Sequence, residues 1–266
     1  MRVAAIEGRP AGPRGARAAA PRRAGVVRLC IALAGLALGG CSTVGVHTSH
    51  RDRIDFGEPA TMRVCVLKTD DIPEERALAL IEHVRRELVP YGIAVEVPWM
   101  RAWKRPGFMA PAIMGVLLRR PLEPPCDRLL GLVDRHFGDF VWGIFMPEVF
   151  GAVETATATR GFVVASYGSV NQVGAAPEAV VVHEVYHLLG CPHGASLKKC
   201  YARIAALKAA IDANADFFPG VAGHAHFLTT RDAADAALAA AREEAAREQA
   251  CATSRRSRDS GGCARD

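Results

Sequence analysis

Five residues in the middle of the chain have the types and the spacing of a catalytic metal site. They are His183, Glu184, His187, Gly190 and His193. Two imidazoles four residues apart lie on one face of a helix, where they can share one tetrahedral Zn²⁺. A carboxylate next to them can take a proton from a water whose pKa the metal lowers to about 7. The pattern therefore predicts His183 and His187 as zinc ligands and Glu184 as a general base.

A third ligand has to come from beyond the helix. Gly190 lets the backbone turn away, and His193 can then return to the metal. Three neutral imidazoles leave one coordination position open, which separates a catalytic zinc site from a closed structural one. By composition, the eleven-residue pattern is expected by chance in about one such chain in twenty thousand. The predicted cofactor is therefore one Zn²⁺ per chain.

Two other interpretations of these residues remain open at the level of sequence. His183 and His187 could be hydrogen-bonded core histidines, with His193 in a loop. Alternatively, Cys191 could complete a closed, structural zinc site. The nearby Cys200 and an exported location favour a Cys191–Cys200 disulfide instead, which would brace the segment that carries His193.

The N-terminal part of the chain has the pattern of a secretory leader. An apolar run from Gly25 to Gly40 follows several arginines and is too short for a permanent membrane span. It ends in Leu38-Gly39-Gly40-Cys41, which resembles the lipobox of bacterial lipoproteins. We therefore expect residues 1–40 to be a signal peptide and a lipidated Cys41 to anchor the chain in the cell envelope. An ordinary signal peptide and an uncleaved anchor are the alternatives.

The basic character of the chain comes mainly from this leader. Seven of the 33 Lys and Arg residues and one of the 28 Asp and Glu residues lie in residues 1–40. The remainder therefore carries 26 basic and 27 acidic residues. Such a balance gives no indication of nucleic-acid binding. The membrane is a predicted partner because of the lipid expected on Cys41.

The elements that position the motif can be predicted from the spacing of apolar residues. Met62–Lys68 and Ile93–Val97 alternate as strands do, and Ala77–Leu88 between them has helical spacing. Phe108–Leu118, in a stretch rich in Pro, Arg and Met, is predicted to be a short helix or flap. Arg128–His136 is predicted to be a short helix.

Closely spaced strands are predicted to lead into the helix that carries the motif. That helix should run from Pro177 to Leu189, because proline suits the first helical position and Gly190 ends the helix. Its three consecutive valines are poor helix formers, so it depends on burial in the core. The strands expected before it are Phe140–Phe145, Gly151–Thr157 and Gly161–Tyr167.

The chain after the motif is predicted to be largely helical. Helices are expected at Leu197–Ala213 and Ala233–Gln249, with an irregular segment, Asp216–Thr230, between them. Residues 251–266 are rich in Ser, Arg, Gly and Asp and are expected to be disordered.

The segment HEVYHLLGCPH matches the HExxHxxGxxH motif of the metzincin zinc peptidases. The order of elements before it also resembles their N-terminal subdomain, matrixin-like in size, so the resemblance covers about Arg63 to His193. It implies an α+β fold: a twisted mixed β-sheet with a long backing helix and an active-site helix, followed by a mostly helical C-terminal subdomain. It also implies zinc ligation by His183, His187 and His193, with Glu184 as general base.

The resemblance carries two further implications for the site. The upper edge strand of the cleft should pair with an extended peptide substrate, and Gly151–Thr157 is the candidate. The family is named for a methionine in a turn beneath the zinc, but this sequence has no Met after Met146. An apolar turn at Phe217–Gly220 could take that place, or the segment could be an ordinary packed loop.

The domain organisation expected from these observations has four parts. Residues 1–40 form the lipoprotein signal peptide and residues 41–60 a tether. Residues 61–250 form the zinc metallopeptidase-like domain, with an N-terminal subdomain, 61–193, and a helical C-terminal subdomain, 194–250. A disordered tail, 251–266, follows.

The function predicted from this sequence is zinc-dependent endopeptidase activity in the bacterial cell envelope. The protein would be anchored by lipid, on the periplasmic or surface face, and would hydrolyse peptide or protein substrates through metal-activated water. One alternative is a binding or scaffold lipoprotein that keeps the fold without turnover, although an intact Glu184 argues against it. Another is a zinc amidase that acts on cell-wall peptide.

Overall fold

The computed structural model describes most of the chain after the predicted leader. The signal peptide, the lipidated Cys41 and the predicted strand Phe140–Phe145 lie outside the described residues. Within the described part of the chain, no helix is both long enough and apolar enough to cross a membrane. The described ranges are 48–107, 109–135, 149–166, 176–193, 196–223 and 226–257.

Helices and strands alternate along the first part of the chain, and a hairpin and two helices follow the motif. Most predicted elements are present, with their ends shifted by a few residues. In chain order they are α1 (Thr48–Arg51), β1 (Ala60–Lys68), α2 (Glu74–Leu88), a 3₁₀ turn (Val89–Tyr91), β2 (Ile93–Glu96), β3 (Met100–Ala102), α3 (Ala110–Leu117), β4 (Arg128–Val133), β5 (Gly151–Val153), β6 (Arg160–Val164), α4 (Pro177–Leu188), α5 (Leu197–Ala209), β7 (Gly220–Ala222), β8 (His226–Leu228) and α6 (Arg231–Ser257).

One mostly parallel sheet forms the centre of the fold. Its strand order is β2-β1-β4-β6-β5, and β3 also pairs with β1. Every pairing in it is parallel except that between β5 and β6, which is antiparallel. Strand β5 is therefore the last strand on one side of the sheet among the described strands. The fold thus combines helices with a mixed sheet, which is consistent with the predicted α+β class, and the sheet is mostly parallel.

Helices cover both faces of this sheet. Along β1, Val64 and Val66 face a core shared with α2 and α4, whereas Cys65 and Leu67 face a second core shared with α3. A sheet buried on both faces needs apolar residues at nearly every strand position. The strong apolar content of β1 follows from this arrangement.

Strand β4 replaces the short helix predicted at Arg128–His136. All of its residues are buried, and it pairs with β1 on one side and β6 on the other. Leu130 and Leu132 belong to one core, and Leu129 and Val133 to the other. A strand apolar on both faces shows no alternation, and a short apolar run does not distinguish strand from helix. The prediction of a helix was wrong for this reason.

The predicted tether, 41–60, is packed on the domain in its described part. Phe56 is buried, and its ring meets that of Tyr91 edge-on, with 5.0 Å between the centroids. The guanidinium of Arg51 lies 5.9 Å from the centre of the same Tyr91 ring. A single aromatic residue in a polar segment gives no periodic signal, so the packing of Phe56 was not predicted from the sequence.

The region after the motif differs from the prediction in two ways. Within the expected irregular segment, β7 and β8 form an antiparallel hairpin. Helix α6 extends to Ser257, so residues 251–257 are helical rather than part of a disordered tail. Both hairpin strands are only three residues long, which is too short for alternation to be recognised in the sequence.

Candidate metal centre

Helix α4 carries three of the motif residues and is held in place by its surroundings. It begins with Pro177 at a position where a missing N–H costs nothing. The carboxylate of Glu178, in its first turn, forms an ion pair with Arg76 of α2 at 2.5 Å. Tertiary packing therefore offsets the low helix propensity of its valines. The buried valines are Val180, Val181, Val182 and Val185.

The imidazoles of His183, His187 and His193 converge as the sequence predicted. The Nε2 atoms of His183 and His187 are 3.0 Å apart. One ligating atom from each of the three histidines lies within 4.8 Å of the other two. Among the described residues, no other group of three His, Cys, Asp or Glu side chains comes as close together. The three side chains therefore form one candidate metal centre.

A hydrogen bond fixes which nitrogen of His187 faces the centre. Its Nδ1–H donates to the backbone carbonyl of Cys191 at 2.5 Å. With the proton on Nδ1, the lone pair of Nε2 points toward His183. A backbone carbonyl in this role is the usual way in which a protein orients a histidine ligand and raises its basicity.

Burial also favours the neutral form of these imidazoles. It lowers the pKa of His187 to about 4, even though the hydrogen bond to Cys191 acts in the opposite direction. Burial likewise lowers the pKa of His183, and the neighbouring His193 adds to the effect. Only a neutral imidazole has a lone pair to offer to a metal. Both groups are therefore in the state that metal binding requires at neutral pH.

Glu184 is a buried carboxyl group beside the three histidines. Its side chain is 4% exposed, and its Oε2 has no hydrogen-bond partner among the described residues. Burial without a compensating charge raises the pKa of Glu184 to about 8. An unpartnered buried carboxyl group costs folding free energy, and its presence in spite of that cost indicates a functional role. A bound metal would supply a positive charge that favours the carboxylate form.

Strand β5 lies directly against Glu184. A Cβ atom placed on Gly151 would come within 2.6 Å of Glu184 Cγ and 2.7 Å of its Oε1. Only a residue without a side chain allows β5 to approach the carboxyl group this closely. This contact was not predicted from the sequence, because a single glycine at the start of a strand does not indicate which side chain will pack against it.

A cleft of about 390 Å³ opens beside the histidines. Residues of β5, from Gly151 to Val153, line it together with His187 and His193. Val221 of β7 and Arg203 of α5 also line it. The predicted edge strand thus shares a cleft with two of the predicted ligands, although the strand itself ends at Val153 rather than at Thr157.

The turn after helix α4 is braced at two points. Cys191 and Cys200 form a disulfide that closes the loop containing His193, which is the pairing favoured on sequence grounds. Gly190 has a φ of 78°, a left-handed conformation that glycine adopts without strain. A second disulfide, Cys65–Cys126, joins β1 to the start of β4, and this pairing was not predicted.

The side chain of Val221 fills the space next to the same turn. A Cβ atom on Gly190 would lie 2.6 Å from Val221 Cγ2 and 3.0 Å from its Cβ. The apolar turn proposed at Phe217–Gly220 therefore leads directly into a residue that contacts the metal-site turn. Neither the valine nor its contact carried a signal in the sequence.

Comparison with known proteins gave structural similarities at low sequence identity. No protein-family model matches the sequence, and no curated protein matches it. An archaemetzincin from Methanopyrus kandleri aligns with 55% of this chain and 86% of its own, at 16% identity and a TM-score of 0.35. A chaperone–substrate complex aligns with 67% of this chain at 14% identity and a TM-score of 0.38, and the match spans 37% of that chain. Both similarities are weak, so the functional interpretation rests on the site itself.

Proposed function

We propose that this protein is a metzincin-like, zinc-dependent endopeptidase held in the bacterial cell envelope by an N-terminal lipid. The observation that carries the proposal is the convergence of three imidazoles next to a buried, unpartnered carboxyl group. A metal-dependent hydrolase needs both parts: ligands that leave a coordination position open, and a base within reach of it.

The ligand set fits zinc. In a tetrahedral site with Zn–N distances of about 2.0–2.1 Å, ligand nitrogens lie roughly 3.3 Å apart. The observed 3.0 Å between His183 Nε2 and His187 Nε2 is close to that spacing. Three neutral nitrogen donors without a carboxylate ligand disfavour magnesium and calcium, which prefer oxygen. His183, His187 and His193 would therefore hold the ion.

The chemistry divides between the metal and Glu184. Zinc, when bound, supplies a Lewis acid that polarises a carbonyl and lowers the pKa of water to about 7. The carboxylate of Glu184 accepts the proton of the attacking water and then delivers it to the nitrogen of the departing amine. The dry surroundings of Glu184 keep its proton affinity high, which suits the second of these steps.

Strand β5 is the proposed binding surface for the substrate backbone. It is the last described strand on its side of the sheet, lies against Glu184 and lines the cleft. An extended peptide can add to such an edge through main-chain hydrogen bonds. That mode of binding would bring a peptide bond to the metal centre with little dependence on the substrate's sequence.

The experiment that tests the function combines metal content with cleavage. The full-length protein, purified in mild detergent, would be compared with His193→Ala and with His226→Ala, an exposed histidine of β8 outside the centre. We expect about one zinc per chain and chelator-sensitive cleavage of a quenched-peptide library, both reduced only in His193→Ala. Absence of zinc from the wild-type protein would refute the proposal.

Two other outcomes would replace the endopeptidase with a different function. Stoichiometric zinc with cleavage of peptidoglycan fragments, but not of peptides, would identify an amidase of cell-wall peptide. Stoichiometric zinc without hydrolysis of either substrate would identify a binding lipoprotein.

A further inference from the structure

Arg128 is a fully buried cation at the first position of strand β4. Its side chain is 0% exposed, and its guanidinium lies 5.4 Å from the centre of the Phe218 ring. A buried charge is costly unless hydrogen bonds compensate for its lost hydration. The partners of this guanidinium therefore indicate why it is there.

Backbone carbonyls from three separate segments accept its hydrogen bonds. Nε donates to the carbonyl of Leu188 at 2.9 Å. Nη1 donates to the carbonyls of Asp127 and Phe218, at 2.8 and 2.9 Å, and Nη2 donates to that of Pro219 at 2.5 Å. One planar group thus connects β4, the end of helix α4 and the segment leading into β7.

The bond to Leu188 places this cation at the C-terminal end of the helix that carries the metal-site motif. Leu188 is the last residue of α4, and the final carbonyls of a helix lack partners within it. A positive charge there also complements the negative end of the helix dipole. Arg128 therefore caps α4 at the point where the chain turns toward His193.

The bonds to Phe218 and Pro219 hold the other side of the same turn. Val221, two residues after Pro219, packs against Gly190, and its N–H donates to the carbonyl of Thr157 at 2.8 Å. Val221 also lines the cleft beside His187 and His193. Displacement of this segment would therefore remove the support of the Gly190 turn.

We infer that Arg128 is a positioning residue of the metal centre, which fixes the end of helix α4 and the Phe218–Val221 segment against each other and so sets where the Gly190 turn presents His193. This inference rests on the proposed function, because it assigns Arg128 a role toward the metal. No other type of side chain could easily make the hydrogen bonds of the Arg128 guanidinium. Lysine has a single donor centre, and methionine would leave the carbonyls of three segments without a partner.

Arg160 provides a matched control for the substitution of Arg128. It is also fully buried, begins the neighbouring strand β6, and donates to the carbonyl of Arg120 at 3.1 and 3.0 Å. Its other bonds go to Thr159 and Asp235. None of these partners belongs to α4 or to the Phe218–Val221 segment, so Arg160→Met removes a buried arginine of the same kind and leaves every hydrogen-bond partner of Arg128 in place.

The test measures zinc affinity by competition with a chromophoric chelator for the full-length wild-type protein, Arg128→Met and Arg160→Met. Cobalt-loaded samples report the ligand geometry through the visible spectrum. We expect Arg128→Met to bind zinc at least about tenfold more weakly and to change the cobalt spectrum. Arg160→Met should lower the thermal stability of the apo protein but keep the wild-type affinity and spectrum.

The outcomes separate this inference from the proposed function. Wild-type affinity and an unchanged spectrum in Arg128→Met would overturn it while leaving the metal site intact. Equal losses of affinity in both variants would also overturn it, because they would reflect general destabilisation. A wild-type protein that binds neither metal would overturn the proposed function as well.

A milder substitution covers the case in which Arg128→Met does not fold. Val221→Ala leaves the hydrogen-bonding groups of Arg128 unchanged and removes the methyl groups that pack next to Gly190. We expect a changed cobalt spectrum and weaker zinc binding in this folded variant. An unchanged spectrum in Val221→Ala would contradict the role of the segment in placing His193.

Discussion

The side chains of the candidate metal centre owe their chemistry to burial. Burial lowers the pKa values of His183 and His187 and raises that of Glu184. These shifts have one physical cause, since each disfavours the charged form of a group removed from water. Neutral histidines bind a cation, and a carboxyl group of high proton affinity can return a proton to a leaving amine.

Replacement of Glu184 by glutamine should separate metal binding from hydrolysis. Glu184→Gln keeps the shape of the side chain but cannot accept the proton of water, so we expect wild-type zinc content and a fall in kcat of about 10²–10⁴-fold. Metal analysis and peptide cleavage in the same samples measure both quantities. A kcat within a factor of a few of the wild type would exclude Glu184 as the base.

Replacement of Gly151 by alanine should disturb the side chain of Glu184, which lies directly against it. The new methyl group would lie 2.6–2.8 Å from three atoms of the Glu184 side chain, so the carboxyl group or strand β5 has to shift. We expect kcat to fall at least about tenfold while zinc content stays unchanged, because small displacements of a catalytic group are costly.

A second glycine-to-alanine variant controls for the general effect of adding a methyl group. Gly115→Ala lies in helix α3, where the new Cβ would meet only Arg119 Nη1 at 3.7 Å. This variant should keep the wild-type kcat. Equal kcat values for Gly151→Ala and the wild type would show that the close packing of β5 on Glu184 has no catalytic role.

The disulfides Cys191–Cys200 and Cys65–Cys126 act on different elements of the fold. Cys191–Cys200 closes a short loop around His193, with a sequence separation of 9. Cys65–Cys126 joins β1 to the start of β4 across a separation of 61. The first lies at the metal-site turn, and the second lies in the core on the other face of the sheet. Their removal should therefore have different consequences.

Loss of the short disulfide should weaken zinc binding, whereas loss of the long disulfide should lower only the stability of the fold. For Cys191→Ser combined with Cys200→Ser, loop-closure entropy predicts a loss of about 2.6 kcal/mol in the free energy of unfolding, against about 4.3 kcal/mol for the Cys65 and Cys126 pair. Chemical denaturation and zinc titration measure the two effects. We expect only the first double variant to bind zinc more weakly, and the opposite order of affinities would contradict the bracing of His193.

At the scale of the whole molecule, the sheet separates two cores and leaves the metal centre beside its β5 side. Helices α2 and α4 lie in one core and α3 in the other, so the sheet supports the helix that carries two of the candidate ligands. The described chain begins its contacts with this domain at α1, before the first strand.

The lipid anchor is a prediction about the whole molecule that stands on the Leu38–Cys41 pattern. Cys41→Ser should abolish lipid attachment and move the protein from the membrane fraction to the soluble fraction of the envelope. Fractionation with immunodetection and labelling with a fatty-acid analogue measure this directly. Ser42→Ala is the control, because it leaves the cysteine in place. Unchanged membrane association of Cys41→Ser would contradict the lipobox.

The sequence by itself determined the residues that can do chemistry. His183, Glu184 and His187 are adjacent on a helix because of its 3.6-residue period, and this local geometry needs no knowledge of the fold. The turn at Gly190 is likewise local, since glycine alone adopts a positive φ without strain. The Cys191–Cys200 pair was accessible for the same reason, because both cysteines lie close to that turn in the chain.

Only the tertiary structure decided what surrounds those residues. Strand β4 could not be recognised because burial on both faces removes alternation. The contacts of Gly151 with Glu184, of Val221 with Gly190 and of Arg128 with Leu188 join positions far apart in the chain. Such contacts depend on how strands and helices pack, which no local pattern encodes. The sequence therefore predicted the candidate ligands and the candidate base, whereas packing decided their protonation, their support and the cleft beside them.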